Sequence, residues 1–154
     1  MLEIIKANFP DNLVVVRDLY KEYASSLSFD LDFQNFKDEI NNLPGDYSEP
    51  SGAVLLAKLD EEYTGCVALR KIDDISCEMK RLYVKPHCRG KGIGKGLSIK
   101  IISIAKEIGY SFMRLDSVSE MRDAISLYRA LGFYEIEPYR HNPIKGAIFM
   151  ELKL

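Results

Sequence analysis

The stretch Glu78-Met79-Lys80-Arg81-Leu82-Tyr83-Val84-Lys85-Pro86-His87-Cys88-Arg89-Gly90-Lys91-Gly92-Ile93-Gly94-Lys95-Gly96 changes character halfway along. Its first half is a β-prone run that Pro86 ends. Its second half carries glycine at 90, 92, 94 and 96 and opens onto Ile93, Leu97, Ile101, Ile104, Ala105 and Ile108, an apolar stripe at helical spacing that Gly109 stops. Strand, glycine-rich loop and helix therefore follow one another. Glycine inside a helix costs about 1 kcal/mol relative to alanine, so four in alternation have another use. They free the φ angle and let a ligand approach the backbone closely. A strand–loop–helix junction also directs unpaired amides outward, with the positive end of the helix dipole behind them. Lys85, Arg89, Lys91 and Lys95 add cationic side chains. The combination is an anion site suited to a diphosphate; the plain alternative is a basic surface turn with no ligand.

Working outward, three strand patterns precede this junction without a helix between them. Ala53 to Leu59 ends at the turn Asp60-Glu61-Glu62, Tyr63 to Ile72 ends at Asp73-Asp74, and Ile75 to Val84 ends at Pro86. They read as an antiparallel meander. Ahead of them lie a short strand from Leu2 to Ala7 and a helical stripe of Leu13, Val16, Leu19, Tyr20 and Tyr23. A second helix is predicted from about Asp32 to Asn42, then a loop from Leu43 to Gly52. Beyond the long helix come a short strand, Phe112 to Leu115, and a helix carrying Ala124, Leu127, Tyr128 and Leu131, capped by Gly132. Strands at Phe133 to Glu137 and Ala147 to Leu154 close the chain. The order is βααβββαβαββ: an α+β fold, one domain over residues 1–154, with a mixed, mostly antiparallel central sheet flanked by helices.

At 154 residues, 47% hydrophobic and 29% charged, the chain is long enough for a substantial core and reads as globular. A net charge of −2 argues against a nucleic-acid binder. No apolar run approaches membrane-spanning length and no signal-peptide core follows Met1. Cys66, Cys77 and Cys88 lack C-x-x-C spacing or a histidine at ligand spacing, so neither a disulfide framework nor a metal site is expected. A cytoplasmic protein with no membrane or nucleic-acid partner is the resulting expectation.

Two diphosphate motifs fail. Both the P-loop pattern and G-x-G-x-x-G, started at Gly90, require glycine at position 95, which is lysine. The pattern that fits is R-x-x-G-x-G, on Arg89, Gly92 and Gly94. In this the sequence resembles the GNAT family of N-acetyltransferases. Glu78 to Pro86 looks like that family's central strand, and Ala124 to Phe133 like its later helix and the strand entry after it. The resemblance covers most of the chain, with its specific motifs between Glu78 and Phe133.

The resemblance implies acetyl-CoA as acyl-donor cosubstrate, its pyrophosphate held by Arg89, Gly90, Lys91, Gly92, Ile93, Gly94 and Lys95. It implies that the central strand is splayed from its neighbour, with backbone groups of Leu82, Tyr83 and Val84 holding the acetyl carbonyl and pantetheine. Ala124 and Tyr128 would border the cofactor. The family's frequent asparagine is Met121 here, a departure that removes one cofactor hydrogen bond.

Acyl transfer to an amine needs that amine deprotonated, an oxyanion donor, and an acid for the departing thiolate. Tyr128 resembles the family tyrosine that approaches the coenzyme A sulfur and is the candidate acid, although periodicity alone places it in the core. Glu78 is the candidate base, a carboxylate on a strand where carboxylates are disfavoured; the alternative is a structural pair with neighbouring cations. His141 is a weaker base, and His87 reads as phosphate-side or solvated. Cys77 is adjacent to Glu78 but should face the other way, and Cys88 lies at the diphosphate end, so direct transfer is expected rather than a cysteine-bound route. The acceptor pocket should lie between Leu27 to Phe36 and the loop Pro138-Tyr139-Arg140-His141-Asn142-Pro143. A small-molecule primary amine is expected, with a homodimer as a family expectation. The alternative function is a non-catalytic coenzyme A-binding or protein-interaction module.

Overall fold

A computed structural model describes all residues, Met1–Leu154. Seven strands form one sheet in the order β1-β2-β3-β4-β5-β7-β6. In chain order the elements are β1 (Leu2–Lys6), α1 (Leu13–Ser26), α2 (Phe36–Asn41), β2 (Ala53–Leu59), β3 (Glu62–Lys71), β4 (Ser76–Val84), α3 (Ile93–Ile108), β5 (Phe112–Val118), α4 (Arg122–Ala130), β6 (Tyr134–Ile136) and β7 (Ala147–Lys153). The expected element order is the observed one. All strand pairs are antiparallel except β4 with β5. No helix is long and apolar enough to cross a membrane.

Alternation along the strands sends side chains to two cores. Leu55, Val67, Leu69, Cys77, Met79, Met113 and Leu115 face α3 and α4, where Ile93, Leu97, Ile101 and Tyr128 meet them. Val54, Leu56, Cys66, Ala68 and Tyr83 face α1, against Val16, Leu19 and Tyr20. The sequence expectation for α1 and α3 thus holds, each helix burying one apolar stripe on one face of the meander.

Two expected elements differ in extent. The helix expected from Asp32 to Asn42 is broken: residues Asp32–Gln34 form a 3-10 turn, Asn35 takes φ 54°, and α2 begins after it. Asparagine tolerates this left-handed geometry, which a continuous helix cannot include. β5 runs to Val118, three residues beyond the expectation, because pairing with β7 carries the polar Asp116 and Ser117 into the ladder.

The sheet is irregular where it matters. Cys66 pairs with Tyr83 but Ala68 pairs with Lys80, so one extra residue bulges from β4, and Arg81 sits there with φ 60°. The bulge resets the alternation. Glu78, Lys80 and Arg81 lie on the α1/α2 face, while Leu82 and Val84 rejoin Cys77 and Met79 on the α3 face. Parallel pairing of β4 with β5 covers only Ser76–Glu78 against Phe112–Arg114. From Met79 onward the two strands part, and a cleft opens between them.

Candidate active site

The cleft is bordered by Met79 to Leu82 on β4, Leu115 to Val118 on β5, Met121 and Tyr128 of α4, and Asn142 of the β6–β7 loop. Tyr23, Phe29, Leu31, Phe33 and Gln34 cover it from the α1 side. Ser28 bonds Glu120, tying that cover to the turn before α4. The splay leaves one edge of β4 unpaired. The amide of Lys85 bonds Thr64 O at 2.8 Å, which sets the phase of the ladder with β3. Bonded pairs alternate in an antiparallel ladder, so Tyr83 turns its backbone groups toward Cys66, and Leu82 and Val84 turn theirs to the open edge. Leu82 and Val84 present backbone groups to the cleft side; those of Tyr83 are spent on β3.

At the end of the open edge stands the glycine junction. Gly90 and Gly92 both have φ 79°, and a Cβ at either would meet nothing within 4 Å. Their requirement is conformational. Gly92 caps α3 without a side-chain hydrogen bond, and the first helical bond runs from Gly96 N to Gly92 O. The amides from Gly90 to Lys95 have no acceptor, so they form an anion cradle on the positive end of a 16-residue helix. Arg89 donates from Nε to Val84 O at 3.0 Å, and its guanidinium lies 5.9 Å from the Tyr83 ring centroid. Lys91 and Lys95 are exposed beside the cradle. His87 instead bonds Glu62 at 3.0 Å, away from the cleft. With Cys88, these two bring three metal-ligating atoms within 4.8 Å of one another, a grouping that the spacing of the cysteines did not suggest.

Tyr128 serves both readings at once. Its ring is buried, packed 5.7 Å from that of Phe133, and it also lines the cleft. Its hydroxyl has no hydrogen-bond partner among protein atoms, and burial holds its pKa above the ordinary tyrosine value. It is therefore a protonated donor facing the gap between β4 and β5. Ala124 packs beside it at the edge of the α3-side core. Met121 also lines the cleft, its sulfur accepting from Ser117 Oγ at 3.5 Å, so a thioether fills the place of the expected family amide.

Glu78 is fully buried and surrounded by donors. Arg70 Nε donates to Oε1 at 2.7 Å; Arg140 Nη1 and the Tyr139 hydroxyl donate to Oε2 at 2.9 and 2.6 Å. Burial raises its pKa, but Lys80, Arg70, Arg140 and the Tyr139 hydroxyl together bring it below the ordinary carboxylate value. A carboxylate so held is a poor proton acceptor. Its partners come from β3 and the β6–β7 loop, and neither was visible as a partner in the sequence. His141, the weaker candidate, is exposed and does not line the cleft, whereas its neighbour Asn142 does, donating to Asp116 Oδ2 at 3.0 Å.

On the same face, Arg81 makes a bidentate pair with Glu39 of α2, both bonds 2.8 Å, and stacks over Phe36 at 5.2 Å. Gln34 Oε1 accepts from both Arg81 (2.8 Å) and Lys80 (2.9 Å). The 3-10 turn thereby fixes the cover of the cleft to its floor. Cys77 faces the α3-side core, as expected from alternation, and burial pushes its thiol up to about 12. Cys66 is likewise buried and raised, so neither is poised as a nucleophile.

Residues 13–133 match the model of the acetyltransferase (GNAT) family. An uncharacterised N-acetyltransferase of Schizosaccharomyces pombe is 39% identical over 99% of this chain and 95% of its own length. A GNAT-family acetyltransferase from Staphylococcus aureus superposes with a TM-score of 0.80 at 22% identity, over 99% of both chains. A Thermoplasma acidophilum PaiA N-acetyltransferase, solved in complex with coenzyme A, does so with a TM-score of 0.76 at 21% identity, over 100% of this chain and 99% of the other. The matched segment contains the cradle, the bulged and splayed strand and the Tyr128 helix. The chain belongs to the acetyltransferase (GNAT) family.

Proposed function

We propose that this protein moves an acetyl group from acetyl-CoA directly to a primary amine of a small molecule. The observation that carries the reading is the continuity of the open β4 edge. It begins at the unpaired amides of Gly90–Lys95 and ends in the cleft that Tyr128 lines.

When bound, acetyl-CoA supplies the acyl group as a thioester. The cradle residues Arg89 to Lys95 meet its pyrophosphate with amides and cations. The open groups of Leu82 and the amide of Val84, whose carbonyl accepts from Arg89, lie along the pantetheine path, where an amide donor stabilises charge developing on the acyl oxygen. The amine nitrogen forms the new C–N bond as the C–S bond breaks. One proton leaves the nitrogen for solvent water and one reaches the sulfur, whose donor is reprotonated from solvent. Tyr128, kept protonated by burial, donates to the sulfur. Glu78 acts by position: it fixes Arg140 and Tyr139, and with them the loop that borders the acceptor end. That is the structural pairing which the sequence left open beside a base role.

The test is turnover with acetyl-CoA and a panel of primary amines, reading free thiol against amide product by mass. One thiol per amide supports the reading. Saturable coenzyme A binding with no amide from any amine identifies a non-catalytic binder and overturns it.

A further inference from the structure

Every buried ionic group on the α1/α2 face of the sheet has an ionic partner except one. Glu78 has Arg70 and Arg140, and Arg81 has Glu39. Lys80 is only 6% exposed, forms no ion pair, and donates to a neutral amide oxygen that it shares with Arg81. A buried ammonium without a counter-charge is costly to keep. Burial first, and then Arg81, lowers the Lys80 pKa to about 7. Across the splay, on β5, Asp116 lies on the same face, as its bond to Asn142 shows, and it too lacks an ion pair. Both residues line the one cleft that Tyr128 also lines.

An unpaired cation and an unpaired carboxylate thus face one cavity from two diverging strands. We infer that the acceptor is a small amino acid, its carboxylate received by Lys80 and its ammonium by Asp116. The inference rests on the acyl-transfer reading and specifies its substrate class. A simple monoamine leaves Lys80 without a counter-charge. An acceptor with both charges pairs each group, and its ammonium is held at Asp116 before it passes a proton to solvent water to become the nucleophile. Phe33 and Leu31 leave apolar wall for a side chain, and the ion-paired Arg70 and Arg140 line a neighbouring pocket that shares Phe33 and Gln34.

The experiment compares each of several free α-amino acids with its carboxamide, which keeps the amine and removes the anion, using acetyl-CoA and the full chain. Wild-type protein should favour the free acid by about 10- to 100-fold in kcat/KM, mostly in KM, the size of a charge-assisted hydrogen bond. Lys80→Met should bring the ratio within about twofold, and Lys80→Arg should restore part of it. Coenzyme A thermal shift confirms that each variant is folded; if Lys80→Met is not, Lys80→Gln takes its place. Equal use of acid and carboxamide by wild-type protein, or a preference that survives loss of the lysine charge, overturns the inference. Acetylation of neutral amines but not amino acids overturns it too and leaves the acyl-transfer reading standing. Acetylation of nothing, with coenzyme A bound, overturns that reading itself.

Discussion

Glu78 and Lys80 project from the same face of β4 two positions apart, yet they form no ion pair with each other. Glu78 gives its oxygens to Arg70, Arg140 and Tyr139, and Lys80 donates to Gln34 at 2.9 Å. One residue is saturated and its neighbour is left open. This separates two tasks on one strand: Glu78 holds the architecture of the acceptor end, and Lys80 remains available there.

Glu78→Gln should therefore act first on stability. The amide keeps the volume but leaves Arg140 without its counter-charge and Arg70 with only the exposed Asp46, 3.6 Å away. Both side chains retain 23% exposure and recover some water, so the loss should sit near the low end for a broken buried pair, about 3 kcal/mol. Urea unfolding should show a lower midpoint at unchanged slope. A midpoint equal to wild type contradicts the anchoring role.

Two carboxylates, Glu78 and Glu39, set the acid behaviour. Burial raises both pKa values, but Lys80, Arg70 and Arg140 hold that of Glu78, and chiefly Arg81 that of Glu39, below the ordinary range. A depressed folded-state pKa adds stability that is complete above the unfolded value, near ~4.3, and vanishes as pH falls through the folded value. Melting temperature should thus fall steeply below about pH 4.5 in wild-type protein. In Glu78→Gln it should start lower and fall less, the two curves converging in acid. Parallel curves exclude a linked titration at Glu78.

Tyr128→Phe removes a hydroxyl without a protein partner and leaves the ring packed against Phe133. Stability should change little. If the hydroxyl protonates the sulfur, kcat should drop by about 100-fold, the usual worth of a placed acid, while the dissociation constant of coenzyme A moves far less. Calorimetric binding beside steady-state rates separates the two effects.

Gly92→Ala tests the cradle. No atom obstructs the added methyl, so its cost is the left-handed φ of 79°, about 1–2 kcal/mol. Either the strain is retained or the loop relaxes and its amides turn away. Coenzyme A affinity should fall about tenfold or more, and Arg89→Ala should weaken binding with a reduced dependence on salt. Titration calorimetry at two ionic strengths reads both.

Local pattern carried much of this site. The four alternating glycines, the stripe from Ile93 to Ile108 and the hairpin signals at Asp60-Glu61 each act within a few residues, so cradle, long helix and meander were legible. What was not legible is non-local. Two of the three partners of Glu78 lie 61 and 62 residues away in a loop, and Gln34 reaches Lys80 across 46. The splay is a missing set of interstrand bonds, which no residue type announces. The bulge that reverses the alternation depends on Arg81 taking a positive φ unusual for arginine, held by Glu39 and Phe36. Only Tyr128 was ambiguous in sequence and remains double in structure, at once core and cleft.

The most direct test of the central claim is isotopic. Acetyl-CoA labelled with carbon-13 in the acetyl group is incubated with the protein and amine acceptors, and products are read by mass spectrometry. The account predicts the label in an amide on the acceptor nitrogen, one equivalent of free coenzyme A, and no acetylated cysteine on the protein during turnover. Label that stays in the thioester with every acceptor, or that accumulates on Cys66, Cys77 or Cys88 before reaching product, contradicts it.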